Sequence, residues 1–377
     1  MPLPFGVYRA DHVGSLLRAK PVLDARDERD AGKITDKDLR AIEDKHIAEV
    51  VTSEIDSGLR SITDGEYRRA FFHLDYLQHL DGTEIQGQMN STAASVSDFR
   101  PPKCVVTGKL GHSKAIQVDD FLFLEEQIKA NGAESKLTTK VCIPSPTMVH
   151  FRNDRTTIDE RVYPDLDEFF EDLARVYQEE LADLYAAGCR MVQLDDTNLA
   201  YLCDPAMRKE AEARHGDANV LVRRYAELIN KSIEKRPKDM TIGIHLCRGN
   251  HRSKWFAQGG YEPVAEVLFK EMNVDAYFLE FDDARSGDFS PLRHLPPNKV
   301  VVLGVMSSKK AELDVKEDIV KRVKEAAGYC GQGIDQLCLS HQCGFSSTKE
   351  GNSLSYDEQW AKVRLEVEIA KELWSDA

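Results

Sequence analysis

The sequence predicts an α/β fold, closed as a (β/α)8 TIM barrel. Three observations carry that expectation. Eight short apolar runs recur along the 377 residues, and runs this apolar suit parallel strands buried on both faces. Most are followed by a stretch with helical spacing, and eight strand–helix alternations suit a closed barrel. No G-x-G-x-x-G turn follows the first run, which argues against an open doubly wound sheet.

Taken in order, the runs are "YRADHVGS" (8–15), "RSITDGE" (60–66), "KVCIPSP" (140–146), "MVQLDD" (191–196), "TIGIHLC" (241–247), "AYFLEF" (276–281), "KVVVLGV" (299–305) and "DQLCLSH" (335–341). Between the first two, residues 35–58 place Leu39, Ile42, His46, Val50 and Ile55 near helical spacing. Thr35 with Asp38 makes a capping box there, and Gly58 suits the exit. Residues 166–188 repeat the pattern with Leu166, Phe169, Leu173, Val176, Leu181, Leu184 and then Gly188. Further helices are expected near 217–234, 261–271, 315–328 and 356–374. The stretch from about Thr83 to Leu110 breaks the repeat. "STAASVSDFRPP" is loop-like and "KCVVTGKL" reads as one strand of a hairpin, an excursion over the barrel mouth. No linker or low-complexity tract divides the chain, so residues 1–377 are expected to form one domain.

Composition narrows the function. Apolar residues make up 42% of the chain, enough for a large core, and the net charge is −14. An acidic chain without basic stripes argues against a nucleic-acid partner. No run approaches 18 uninterrupted apolar residues, so no membrane-spanning helix is expected. The start, "MPLPFGVYRADHVG", does not read as a signal peptide. Eight cysteines spread thinly over the chain suit a reducing compartment, as buried, metal-bound or catalytic thiols. A cytoplasmic location is expected.

In a (β/α)8 barrel the strand ends meet at one face, where active sites lie. Here they carry Ser15, Glu66, the Asp195–Asp196 pair, His245 with Cys247, Glu280 and Cys343. Side chains two apart on a strand point the same way, which puts His245 and Cys247 together. With Glu280 and Cys343 they form a plausible zinc site, since two thiolates favour zinc over magnesium or calcium. His341 and His251 are competing ligands. Each residue also has a plainer reading. Strand-end cysteines are often small core residues, as expected for Cys142, Cys189 and Cys338. Glu280 and Asp195 instead invite an ion pair with Arg60, Arg248 or Arg285.

A set of motifs resembles the cobalamin-independent methionine synthase family, in its catalytic C-terminal barrel. "HVGSLLR" resembles the family's Ile-Gly-Ser loop, "TDGEYRR" its His-Gly-Glu-x-x-Arg segment, and "FRPPKCVVTGKL" its Arg-Pro-Pro hairpin. "SPTMV" resembles Gly-Pro-Val-Thr-Met, and "VQLDD" resembles Gln-Ile-Asp-Glu. "HLC", "FLEFDDARSG" and "QCGFSST" resemble the three zinc-ligand segments. The motifs stand in the family's order over nearly the whole chain, as a single barrel without the family's extra N-terminal half. The resemblance implies zinc held by His245, Cys247, Glu280 and Cys343. It implies a thiol amino acid, homocysteine, held by Ser15, Glu66 and Asp195, and a methyl donor such as 5-methyltetrahydrofolate. The chemistry is coherent, because the thiolate is the reactive form of a thiol and zinc deprotonates a bound thiol.

The pattern departs from the family on the donor side. Thr197 follows the acidic pair in place of proline. His150 and Phe151 stand where a tryptophan usually forms a flat surface. The loop after the seventh strand has Ser307, Ser308, Lys309 and Lys310 and no relay histidine. A leaving nitrogen needs a proton, and Asp196 is the candidate donor. Two other functions stand beside methyl transfer: a zinc-thiolate alkyl transferase opening an epoxide, and a zinc-stabilised barrel that only binds. A metal-free relative of uroporphyrinogen decarboxylase shares the barrel class.

Overall fold

The computed structural model describes residues 2–87, 102–132, 136–153 and 155–377. Its strands are β1 (Ser61–Ile62), β2 (Asp81–Gln86), β3 (Lys103–Gly111), β4 (Thr138–Thr139), β5 (Val141–Pro144), β6 (Met191–Asp196), β7 (Thr241–Leu246), β8 (Ala276–Glu280), β9 (Val300–Met306) and β10 (Leu337–His341). Strands β5 to β10 pair side by side, all parallel, in sequence order. They are buried along their whole length, as near-continuous Val, Ile and Leu runs predict for strands covered on both faces.

Both edges of this sheet continue. Next to β5, strand β4 pairs in parallel with β1. Next to β10, Ala10 forms a parallel bridge to Leu339. Asp11 N donates to Leu339 O at 3.0 Å, and Leu339 N donates to Arg9 O at 2.8 Å. The two edges then meet. Leu16 N donates to Gly65 O at 3.0 Å, Thr63 Oγ1 donates to Gly14 O at 2.9 Å, and His12 Nε2 donates to Ser61 O at 3.0 Å. The result is the expected parallel α/β barrel. The first two expected strands are short, however. The run 8–15 pairs through a single bridge, and 60–66 is strand only at Ser61–Ile62. The reason is local: Gly65 and Glu66 both take positive φ, 61° and 57°, which turns the chain out of the sheet.

The helices outside the ring follow the pattern read from the sequence. Asp36–Asp56 carries the capping box, with Thr35 accepting from Asp38 N and Asp38 accepting from Thr35 N. Leu166–Ala187 ends at Gly188 with φ 114°, a left-handed exit that favours glycine. Ala218–Ile233, Lys316–Ala327 and Tyr356–Leu373 match their expected positions, and Glu262–Glu266 runs on into a wider turn at Val267–Glu271. Among the described residues, the helices Lys20–Asp30, Val118–Ala130 and Pro205–His215, with the single turns Leu74–Leu77 and Asn198–Tyr201, add to those expected. Strand β3 pairs antiparallel with β2, so the excursion is a hairpin. The loop-like tract between them, with Arg100 and Pro101, lies outside the described residues. Among the described residues no helix is long and apolar enough to cross a membrane.

Candidate metal and thiol site

Strands β7 and β8 and the turn after β10 deliver the four proposed ligands to one place. The ligand atoms of His245, Cys247 and Cys343 all lie within 4.8 Å of one another. Cys247 Sγ and Cys343 Sγ are 3.0 Å apart, too far for a disulfide bond. Glu280 Oε2 is 3.8 Å from Cys343 Sγ. Exposure is 3% for His245, 8% for Cys247, 0% for Glu280 and 2% for Cys343, so the cluster is sealed from bulk water. His245 Nδ1 donates to Phe278 O at 3.0 Å. That bond fixes the ring and leaves Nε2 for a ligand, an outer-shell arrangement common at metal-binding histidines. Gly249 N donates to Cys247 Sγ at 3.2 Å. Burial and the neighbouring Cys247 push the Cys343 thiol well up, a cost that a soft cation at the centre would remove. The donor set of imidazole, two thiols and a carboxylate fits zinc.

Glu280 belongs to this cluster and also forms the ion pair that its sequence context suggested. Its Oε1 accepts from Arg285 Nη2 at 2.6 Å and from Lys309 Nζ at 3.0 Å. Its Oε2 accepts from Arg248 N at 2.8 Å. Burial works against the charge, but Lys309, Arg285 and Arg248 outweigh it and hold the carboxyl well below the ordinary range. Arg248 itself is fully buried and ties the loop 248–260 to β8 through Glu280 O at 2.7 Å and Gly259 O at 2.7 Å.

A second set of groups lies beside this cluster. Glu66 is 3% exposed, and its Oε2 has no hydrogen-bond partner. Its backbone is left-handed, φ 57°, a strain of roughly 1–3 kcal/mol of the kind that gathers at functional sites. Glu66 N donates to Asp64 Oδ1 at 2.9 Å, which holds the turn. Arg18 Nη2 is 3.9 Å from Glu66 Oε2. Asp195, 5% exposed, accepts from Gln193 Nε2 at 2.7 Å. Burial pushes the Glu66 carboxyl up; Arg69 and Arg18 oppose this and Asp195 adds to it. Burial raises Asp195 in the same way. Two neighbouring carboxyls buried out of water make a place for a cation. Ser15 lies across from the Cys343 turn, where Ser346 N donates to Ser15 Oγ at 3.4 Å. A Cβ at Gly344 would sit 1.9 Å from Ser15 Oγ, so only glycine lets that turn approach so closely.

The family model "Cobalamin-independent synthase, catalytic domain" matches residues 10–372. The Bacillus subtilis (strain 168) protein YxjH, itself uncharacterized, is 42% identical over 373 residues, 97% of this chain and 95% of that one. A methionine synthase of Pyrococcus horikoshii is 24% identical over 362 residues, 96% of this chain and 92% of that one. A Listeria monocytogenes structure assigned as a vitamin-B12-independent methionine synthase superposes with a TM-score of 0.77 at 36% identity, covering 99% of both chains. The chain belongs to the cobalamin-independent methionine synthase family.

As a methyltransferase of that family, it carries its departures on the donor side of the site. Asp196 is anchored on both oxygens: Oδ2 accepts from Thr147 Oγ1 and Oδ1 accepts from Leu199 N at 2.8 Å. The second bond reaches into the turn Asn198–Tyr201. His150 turns into the core, its Nδ1 2.8 Å from Tyr225 OH and its ring 4.9 Å from Phe170. Burial, then His215 and nearby arginines, lowers its pKa to about 3. Phe151 is 3% exposed, so neither residue presents a flat open surface. His341 lies away from the thiols, with Nδ1 2.7 Å from Glu366 Oε2 on the helix Tyr356–Leu373. His251 forms a bridge with Lys254 in the loop after β7; neither histidine is in the three-residue cluster. Cys189 and Cys338 are core residues as expected. Cys142 lies nearer the site, 2.6 Å from where a Cβ on Gly14 would stand. Sequence reasoning placed Lys309 in the right loop and missed its contact with Glu280.

Proposed function

We propose that residues 1–377 form one zinc-dependent catalytic domain that transfers a methyl group to a thiol amino acid, homocysteine, giving methionine. The observation that carries this is the convergence of His245, Cys247 and Cys343 within 4.8 Å beside Glu66 Oε2, a buried acceptor without a partner. His245, Cys247, Cys343 and Glu280 would hold the zinc. When bound, the metal supplies Lewis acidity that favours the thiolate at neutral pH. Glu66 and Asp195 bind the ammonium group of the amino acid, which removes their mutual repulsion. Ser15 and the backbone of the Cys343 turn orient its carboxylate. Burial excludes water, so the sulfur meets the donor rather than solvent. The donor is 5-methyltetrahydrofolate or another methyl carrier, and the cytoplasm is the natural compartment for a buried dithiol site.

A second reading keeps the thiolate and changes its electrophile, as in epoxide opening. It is favoured by one set of observations: Asp196 is capped on both oxygens, His150 and Phe151 are packed in the core, and Lys309 is engaged by Glu280. Zinc-edge X-ray absorption with and without homocysteine tests the shared premise. A rise in sulfur ligation supports it, and an unchanged shell supports a purely structural metal. Product mass then separates methyl transfer from addition of a larger alkyl group.

A further inference from the structure

The Glu280 carboxylate sits between two candidate thiolates and the adjoining Asp282 carboxylate. Arg285 is shared among these acids, since its Nη2 contacts both Glu280 Oε1 at 2.6 Å and Asp282 Oδ1 at 2.9 Å. Lys309 is a further cation on the same carboxylate, with its ammonium 3.0 Å from Glu280 Oε1. A substrate thiolate adds one negative charge to this cluster; without Lys309 one more would stand uncompensated. Uncompensated charge in a sealed site is costly, so Lys309 bears directly on whether a third sulfur can enter.

Its contacts set Glu280 apart from the other candidate ligands. Lys309 and Arg285 both hold Oε1 of Glu280, while Oε2 faces Cys343 Sγ at 3.8 Å. Cations on a carboxylate draw off its donor strength toward a metal. They also give it a place to stay once it is displaced. His245 and Cys247 have no such cationic partner among their described hydrogen bonds. The lysine is held in register with the ligand turn: Ser308 N donates to Gln342 Oε1 at 2.7 Å, and Lys309 N donates to Ser307 Oγ at 3.2 Å. Lys309 is 8% exposed, so its ammonium meets Glu280 Oε1 out of bulk water.

We propose that Lys309 is a positioning residue that makes Glu280 the exchangeable ligand, by serving as the counter-ion its carboxylate retains when the substrate thiolate takes its place. This rests on the zinc and thiol reading above. The balance is simple. The substrate S–H bond breaks, its proton leaves to solvent, and its sulfur takes the position vacated by Oε2. Glu280 stays ionised on Lys309 and Arg285, and no protein group changes protonation.

The test compares zinc-loaded wild type, Lys309→Met and Lys309→Arg. Three readouts are taken: zinc retention against a chromophoric chelator, homocysteine affinity with proton release by calorimetry, and sulfur count by zinc-edge absorption. Lys309→Met is expected to keep its zinc as well as wild type or better. It should bind homocysteine about tenfold or more weakly, and its sulfur count should stay at the resting value at a concentration that raises it in wild type. Lys309→Arg should restore entry. Homocysteine affinity within about twofold of wild type, or loss of zinc itself in Lys309→Met, overturns the proposal. If Lys309→Met does not fold, Lys309→Gln, which keeps a donor without the charge, is judged by the same criteria. Wild type that holds no zinc, or admits no third sulfur, sinks the underlying reading and this proposal with it, and is seen before any variant is compared.

Discussion

Gly304→Ala is a small change whose effect should reach the metal centre. Gly304 sits in β9, opposite Glu280 on β8 and Ser340 on β10. The register shifts between Ser340 and His341, and the bulge brings the following turn down over β9. A Cβ on Gly304 would lie 2.6 Å from Gln342 Cα and 2.8 Å from Leu279 O. Both neighbours are backbone, so no side-chain rotation relieves the overlap. Reaching ordinary carbon–carbon contact requires Gln342 to move by about 1 Å. Cys343 is the next residue and moves with it. Overpacking of this kind costs about 1–3 kcal/mol of stability, measurable as a lower urea midpoint of the zinc-free protein. Metal sites tolerate displacements of only about 0.2 Å in ligand distance, so zinc retention against a chelator should fall more sharply than stability does. A variant with zinc retention like wild type and a stability loss under about 0.5 kcal/mol would refute the coupling between the β9 glycine and the Cys343 turn.

Three other substitutions separate the parts of the site. Cys343→Ser should lose zinc and turnover together, because oxygen replaces one of two thiolates; metal analysis beside a thiol-consumption assay checks it, and full activity without zinc contradicts it. Asp195→Asn should leave zinc content unchanged and raise the KM for an amino-acid thiol about ten- to a hundredfold, the worth of a hydrogen bond to a charged group. A thiol lacking the ammonium group should show no such change. Glu66→Gln bears on pH. Burial, reinforced by Asp195, pushes the Glu66 carboxyl from 4.5 up to about 7 in the folded protein. The folded state therefore binds the proton more tightly, and this contribution to stability is full below the unfolded pKa and lost as pH rises through the folded one. Zinc-free wild type should thus lose up to about 3 kcal/mol relative to Glu66→Gln between about pH 5 and about pH 8, read from urea midpoints; parallel pH profiles would contradict the assignment.

The cluster of candidate ligands was legible in the sequence because strand periodicity and barrel geometry act together. Period-two spacing puts His245 beside Cys247, and strand ends collect Glu280 and Cys343 from far along the chain. The same reasoning fails for His341. It stands two residues before Cys343, and a continued strand would place both on one face. The strand ends at His341, and the bulge before it breaks the alternation. The side chain then meets Glu366 on a helix whose register no strand pattern reveals. Helices divide in the same way. Lys20–Asp30 buries only Val22, Ala25 and Arg26, and Pro205–His215 only Met207 and Ala211, too little for a periodic stripe. Val118–Ala130 buries Phe121, Leu124 and Ile128, a helical spacing that was present in the sequence and went unread. The first two strands were legible as positions but not as ladders, since side chains and a left-handed turn at Glu66 join them.

What distinguishes the two sides of the site is the kind of element that holds each. The thiol side rests on strand ends fixed by ladder hydrogen bonds: Cys247 N donates to Asp196 O at 2.9 Å and Gln342 N to Met306 O at 2.9 Å. A residue there is constrained by the whole barrel, and its chemistry can be read from its place. The other side rests on loops after β5 and β9, where each polar group answers to a partner on a strand or helix. Thr147 binds Asp196, His150 binds Tyr225, and Lys309 binds Glu280. These contacts tie Asp196, His150 and Lys309 to other elements of the barrel. A carboxylate that accepts on both oxygens is fixed in place, and a lysine on a carboxylate is fixed with it. Strand-end residues are therefore placed by the barrel, and loop residues by the partner that each one finds.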